Sequence, residues 1–307
     1  MFFRNLKLYR LSDNFPSAYL LEGKMRSATL PHCGVMTPKT AGWIEPRQQP
    51  GEMLVSVQGQ HLAMLGSEKK VLPGSVVQKH LEEKVAEYEK AHGNRPGRKQ
   101  IGELKELVLN DLLAKAFTKH GSTSVWIDEK ARWLGINVSS PTKAEEVLDH
   151  LKFTLNDVAI TKLDLATQPH IAMTQWLSAG DAPAPFTIDQ DCELREVTER
   201  RGIIRYTRHS LDGEDIRPHI ESGKRVTQLA MTWNDRVSFV LTEDFMLKRL
   251  SFLDIIKNEA AEGMNNADDL LEANLAIMAG ELEKLIADLL AALGGEIRSE
   301  IEVRKAA

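Results

Sequence analysis

Three features of the sequence predict an α+β fold. Short apolar runs alternate with period two, two long stretches repeat with helical period, and strands and helices interleave without a regular βαβ rhythm. Taken in order, Leu6–Leu11 and Met53–Val57 alternate as strands do, and Gln58-Gly59-Gln60 supplies a turn into a further strand over His61–Leu65. Between them, Pro31 to Pro50 is punctuated by proline and glycine and reads as loop or cap. Residues 74–117 read as a helical hairpin. Val77, Leu81, Val85 and Tyr88 share one face of its first arm, and Ile101, Leu104, Val108 and Leu112 one face of its second. The connector His92–Lys99 holds two glycines and a proline, which stop one helix and start the next. Both arms are polar on their outer faces, so the hairpin is expected to project from the body with little core of its own.

Thr123–Asp128 and Arg132–Val138 follow as two strands, Pro141–Leu155 as a helix, and Val158–Leu163 as a strand. The second half continues the mixture. Gly202–Thr207 and Arg225–Met231 read as strands with a short helix, Asp212–Glu221, between them, and Arg236–Leu241 and Phe245–Leu250 as an antiparallel pair. Leu271, Leu275, Met278, Leu282, Leu285, Leu289 and Leu293 recur at spacings of four and three, the stripe of a long terminal helix, and Gly294-Gly295 ends it. The proline-rich segment 180–185 marks a boundary. The expected organisation is therefore a central α+β region (1–73 with 118–179), the hairpin (74–117), and a C-terminal α+β region (180–307).

At 307 residues the chain has room for about two domains. Its 42% apolar and 27% charged residues exclude a chain too polar to fold, and no run reaches the roughly 18 apolar residues of a membrane span. Charge at Arg4 and Lys7 falls where an export signal needs its apolar core, which predicts a cytoplasmic protein with Cys33 and Cys192 as reduced thiols. The net charge of −5 is unevenly spread. Residues 69–133 hold 13 Lys/Arg against 9 Asp/Glu, whereas residues 258–307 hold 4 against 11. Such asymmetry lets one surface attract polyanions while another stays acidic.

Catalytic signatures are missing. No phosphate-binding glycine loop, H-E-x-x-H, C-x-x-C, G-x-S-x-G or dinucleotide fingerprint occurs, and no histidines pair at metal-ligand spacing. No metal or cofactor is expected. Catalytic groups converging from distant positions, as in a metal-dependent nuclease, stay open as an alternative, and so does a protein-interaction module built on the C-terminal leucine stripe. Basic clusters are the positive signal. Lys115 and Lys119 are four apart at the end of a helix, so they are expected to share a face. Arg98-Lys99 sits in the hairpin turn, and Arg200-Arg201, Arg205 and Arg208 crowd into nine residues. Lys224-Arg225 and Lys248-Arg249 flank or close predicted strands. Arginine forks and mobile lysines suit phosphate oxygens, and the lack of a reading helix or zinc finger points away from base-specific recognition.

Six collinear segments carry a resemblance. They are Phe3–Leu11, Leu72–Val77, Leu112–Phe117, Gly223–Ala230, Leu247–Leu250 and Gly280–Glu296. Together they resemble the RdgC family of bacterial recombination-associated proteins over essentially the whole chain. The resemblance implies a nucleoid-associated protein without catalytic activity, which binds duplex and single-stranded DNA with little sequence preference and limits RecA access to DNA. It further implies horseshoe-shaped subunits paired as a ring-shaped homodimer around a positively lined hole. On that reading Phe117 matches one subunit contact and Arg208 the other. His209 follows Arg208 where the family leads one to expect a neutral polar side chain. Lys115, Lys119, Arg205, Lys224, Arg225, Lys248, Arg249, Arg98 and Lys99 are the candidate DNA contacts.

Overall fold

A computed structural model describes residues 2–47, 49–156, 158–197, 202–211, 215–253 and 267–297. The chain opens with strand β1 (Leu6–Leu11), helix α1 (Ala18–Arg26) and strands β2 (Lys39–Ile44), β3 (Val55–Val57) and β4 (Gln60–Lys70). Helices α2 (Gly74–His92) and α3 (Arg98–Lys115) then lead into β5 (Thr118–Asp128), β6 (Trp133–Ile136) and α4 (Pro141–Leu155). Next come β7 (Ile160–Thr161), α5 (Pro169–Ala179), β8 (Phe186–Arg195) and β9 (Ile203–Tyr206). The last elements are α6 (Arg217–Glu221), β10 (Arg225–Trp233), β11 (Val237–Thr242), β12 (Met246–Phe252) and α7 (Ala267–Ala292).

All the strands join one antiparallel sheet in the order β2-β4-β5-β6-β1-β12-β11-β10-β8-β9, with β3 added to β4 and β7 to β1. The N-terminal strands meet the C-terminal ones at β1, where Leu6 lies opposite Leu247 and Lys7 opposite Met246. This seam is short, yet it lies on a continuous apolar row. Cys192, Leu229, Leu241, Leu247 and Leu6 are cross-strand neighbours in succession from β8 to β1, and all five are buried. Directly opposed apolar side chains are the unit of sheet stabilisation, so this row fastens the two halves where their backbone pairing is thin.

The sheet has two unlike sides. On one, the row above packs against Met173 and Leu177 of α5 and against Met278, Leu282, Leu285 and Leu289 of α7. The leucine stripe of the C-terminal helix is thus spent on the core, which removes it as a surface for a partner. Gly294, with φ +80°, ends that helix in a conformation that favours glycine. On the other side α1 and α4 cover Tyr9, Trp43, Leu65, Val125 and Ile136. The α2–α3 hairpin interrupts the connection from β4 to β5 and buries little beyond Val77, Leu81 and Val108, so it projects as its polar surface requires. Among the described residues no helix is long and apolar enough to cross a membrane, and Cys33 and Cys192 are both free thiols.

Several expected elements differ. The stretch read as loop between Pro31 and Pro50 contains β2, whose signal is broken by Gly42. A Cβ there would lie 2.3 Å from the backbone of Leu30, because the segment Ala28–Leu30 pairs with Trp43. Helix α1 buries only Leu21 and Met25, too few positions to register as a stripe. Helix α5 and strand β8 were likewise not expected; β8 alternates, but its outward positions are acidic and its run is interrupted by Asp189 and Asp191. The strand over 158–163 shortens to β7, and the short helix expected from Asp212 begins at Arg217, with residues 212–214 outside the described residues.

The row predicts a large local cost. Leu241→Ala is expected to destabilise the protein by about 2–5 kcal/mol in urea unfolding, the range for truncating a fully buried leucine. A change within a few tenths of a kcal/mol would remove the row's structural role.

Candidate nucleic-acid interface

Register decides which way each strand cation faces. Leu194, Cys192, Leu229, Leu241 and Leu247 point into the α5/α7 core, so their neighbours in sequence point to the opposite side. That side receives Arg205, directly opposite Glu193, and Arg225, directly opposite Arg195. It also receives Lys248, opposite Val240, which is in turn opposite Ala230. Following the same parity across β1, β6 and β5 places Lys119 on this side as well, in line with Lys69 of β4 and Lys39 of β2. Four of the candidate DNA contacts, on four strands, therefore share one side of the sheet. Arg195, Lys69 and Lys39 join them and were not singled out from the sequence, because each stands alone or in a mixed run and only register reveals the alignment.

Several of these cations are tied to acids. Glu193 accepts from Arg205 Nε at 2.7 Å, from Arg195 Nη2 at 3.1 Å and from Thr227 Oγ1 at 2.9 Å. Burial pushes its carboxyl up, but the hydrogen bonds from Arg205 and Thr227 and the Arg205 charge outweigh burial, leaving it below its ordinary range. Glu243 bridges Arg195 at 3.5 Å and Arg225 at 3.1 Å. Asp191 accepts the Arg208 backbone N–H at 2.8 Å and pairs with Arg249 at 2.8 Å. The Arg208 hydrogen bond, opposed by burial and helped by Arg249, holds the Asp191 carboxyl low. The result is a lattice in which each carboxylate holds two arginines, a fixed array with forks left over rather than a bare positive patch. Lys224 donates to Ser222 Oγ at 2.9 Å in the turn before β10.

The remaining candidates sit elsewhere. Arg98 and Lys99 open α3 at the far end of the hairpin, both exposed. Lys115 and Lys119 do not share a helix face. Helix α3 ends at Lys115, Ala116 is extended with ψ 137°, and Lys119 lies in β5 opposite Lys69. The helix stops there because the chain must enter the long β4–β5 ladder, which the Val71 N–H extends by donating to the Phe117 carbonyl. Phe117 is 87% exposed. Arg208 has φ +52° and is held by Asp191, and the His209 N–H donates to the Gln190 carbonyl at 3.1 Å. Arg200 and Arg201 lie outside the described residues.

On the far side of the sheet lies an acidic helix. Helix α7 carries Asp268, Asp269, Glu272, Glu281, Glu283 and Asp288 against the single cation Lys284. The acids of α7 thus lie across the sheet from the strand cations, Glu272 paired with Arg47 and Glu281 with Arg236 and Lys284, while Glu193, Glu243 and Asp191 accompany the cations on their own side. Among the described residues, no three His, Cys, Asp or Glu side chains gather so as to hold a metal ion.

A family model described as "Putative exonuclease, RdgC" matches residues 1–296. The chain belongs to the RdgC family. It is 42% identical over 305 residues to the recombination-associated protein RdgC of Janthinobacterium sp. (strain Marseille), covering 98% of this chain and 100% of that protein. RdgC of Dechloromonas aromatica is 42% identical over 302 residues, 97% of this chain and 99% of its own. RdgC of Bordetella pertussis is 42% identical over 303 residues, 97% of this chain and 100% of its own. The six segments that carried the resemblance fall throughout this matched length, on β1, the start of α2, the end of α3, β10, β12 and α7.

Because the folded Glu193 carboxyl titrates low, its stabilising contribution is complete above its unfolded pKa of about 4.3 and is lost as pH falls through the folded value. Glu193→Gln is expected to cost about 2 kcal/mol at pH 7, as a charged hydrogen bond does, and the difference from the parent should shrink below about pH 4. A pH-independent difference in urea unfolding would contradict this assignment.

Proposed function

We propose that this RdgC-family protein binds duplex and single-stranded DNA without reading base sequence, and that it acts in recombination by limiting RecA access to DNA. The observation that carries this reading is the sorting of charge: strand-borne Lys and Arg on one side of the sheet, the acidic helix α7 on the other. A protein of net charge −5 can then still offer phosphates an attractive surface. Affinity comes from phosphate neutralisation and counterion release, to which every phosphate contributes equally whatever the base. The relatives' name, recombination-associated protein, agrees with a DNA partner. A cytoplasmic, nucleoid-associated location follows from the same reading.

In this proposal two horseshoe-shaped subunits close a ring by a two-fold axis. Phe117, an aromatic ring set almost wholly in solvent where the hairpin joins β5, is the first contact. Arg208 and His209, on the Asp191-anchored turn after β9, form the second. A closed ring turns the cations inward and leaves α7 outside. Such a ring obstructs RecA by occupying the strand, with no need for catalysis.

Three outcomes check the reading. Duplex affinity should fall with salt by about 0.9 log units per phosphate contact for each log unit of salt, and a flat titration would remove the electrostatic basis. Phe117→Ala should weaken retention on closed circular DNA more than binding to a short linear duplex, and equal losses would count against encirclement. Plasmid incubated with the protein and magnesium or manganese should stay intact; nicking would make the protein a nuclease, in keeping with its family model's description.

A further inference from the structure

On the side of the sheet that bears the cations, the rows next to the hairpin change character stepwise. Trp43, Leu65 and Thr123 form one row across β2, β4 and β5, and they are covered by α4, whose Thr154 hydroxyl accepts the Trp43 indole N–H at 2.9 Å. One step nearer the hairpin lie Ala41, Ser67 and Gly121, side chains too small to fill the space beside the helix. They form the floor of an open groove whose helical wall carries Lys143 and Phe153. The next row is Lys39, Lys69 and Lys119, three ammonium groups directly opposite one another. Like charges in this position destabilise a sheet unless an anion lies between them. Glu146 takes Lys39, at 2.7 Å. Lys69 and Lys119 are exposed, and no carboxylate among the described residues lies within ion-pair distance of either.

Phe153 is 74% exposed, an unusual position for an apolar ring on a helix that otherwise buries its apolar face. It is also braced. Its ring lies 6.1 Å from that of His150, which lies 5.6 Å from the fully buried Trp43. Burial lowers the His150 pKa, so this bracing ring is neutral at pH 7. Phe153 lines one groove with the small-residue floor, Lys39 and Lys143, and Lys69 and Lys119 continue the Lys39 row one step beyond that floor. A solvent-facing aromatic beside such a row suits a single strand, its bases stacking on the ring while phosphates track the cations. Duplex DNA keeps its bases stacked inward and presents none to Phe153. Asp149 also lines the helical wall, which places the phosphate path on the sheet side of the groove.

We propose that the groove between α4 and the β2–β4–β5 face binds a short segment of single-stranded DNA, with one base stacked on Phe153 and phosphates on Lys69 and Lys119. This site rests on the DNA-binding reading above but is separate from the duplex surface around Arg205, Arg225 and Lys248.

Fluorescence anisotropy on the full chain tests it, with a labelled oligothymidylate of about twelve nucleotides and a duplex of equal length. Phe153→Ala should weaken oligothymidylate binding about tenfold and change duplex binding less than about twofold, because the ring serves only to stack an unpaired base. Phe153→Trp should keep the affinity. The double variant Lys69→Gln, Lys119→Gln should flatten the salt slope for the oligonucleotide by about 1.4, at about 0.7 per phosphate. If the parent protein binds DNA but Phe153→Ala leaves oligothymidylate affinity unchanged, or lowers both affinities equally, the groove is wrong while DNA binding stands. If the parent binds neither probe, both readings fall together.

Discussion

The structure depends on one seam. Strand β1 belongs by sequence to the N-terminal half, yet in the middle of the sheet it pairs with β12, the last described strand of the chain, through Leu6–Leu247 and Lys7–Met246. Just beyond them the Leu250 N–H donates to the Arg4 carbonyl at 2.8 Å. Backbone hydrogen bonds at so short a contact are each worth little net free energy. Burial of the row Cys192–Leu229–Leu241–Leu247–Leu6 under α5 and α7 makes the joint firm, because a slip of β1 by one residue would turn its own apolar set, Leu6 and Leu8, away from that core. Polar contacts reinforce the same joint. The Lys7 ammonium donates to the Asp244 carbonyl, and burial first of all lowers its pKa. Further along, the Arg10 guanidinium pairs with Glu296 and lies 3.3 Å from the Trp133 ring centroid.

Fixing that register fixes the charge map. Alternation along a strand leaves no freedom: once Leu247 points into the core, Lys248 must point away from it, and the same holds for Arg205 beside Ile204 and Arg225 beside Val226. Cations scattered over the sequence between residues 39 and 248 are thereby collected on one side of the sheet. The acids that come with them, Glu193, Glu243 and Asp191, temper the positive field and hold the arginines in place. A fixed array of forks loses less side-chain freedom on meeting phosphate than a patch of free arginines would.

Local signals carried much of the fold. The hairpin with its Gly/Pro connector, helix α4 behind its proline, the strands β10 to β12 and the long terminal helix all lie close to where periodicity placed them. The failures have physical causes. Gly42 exists for a close backbone approach and breaks the alternation of β2, while α1 buries only two residues, so neither advertises itself. The candidate site was legible as a set of residue types but not as a surface. Lys115 and Lys119 fit helical spacing, and only the tertiary demand of the β4–β5 ladder puts a strand between them. Alignment of Lys39, Lys69 and Lys119 is a property of register between strands far apart in sequence, which no local window contains. The exposed ring of Phe153 is similarly invisible, since its neighbours in sequence are those of an ordinary amphipathic helix.

The central claim is that phosphates meet the side of the sheet opposite α7. Covalent lysine labelling of the 307-residue chain, with and without saturating duplex DNA and read residue by residue by mass spectrometry, tests it most directly. Lys248 on the cationic side should lose reactivity when duplex is bound, whereas Lys284 on α7 should react equally in both states. Protection of Lys284 with Lys248 unchanged would contradict the account.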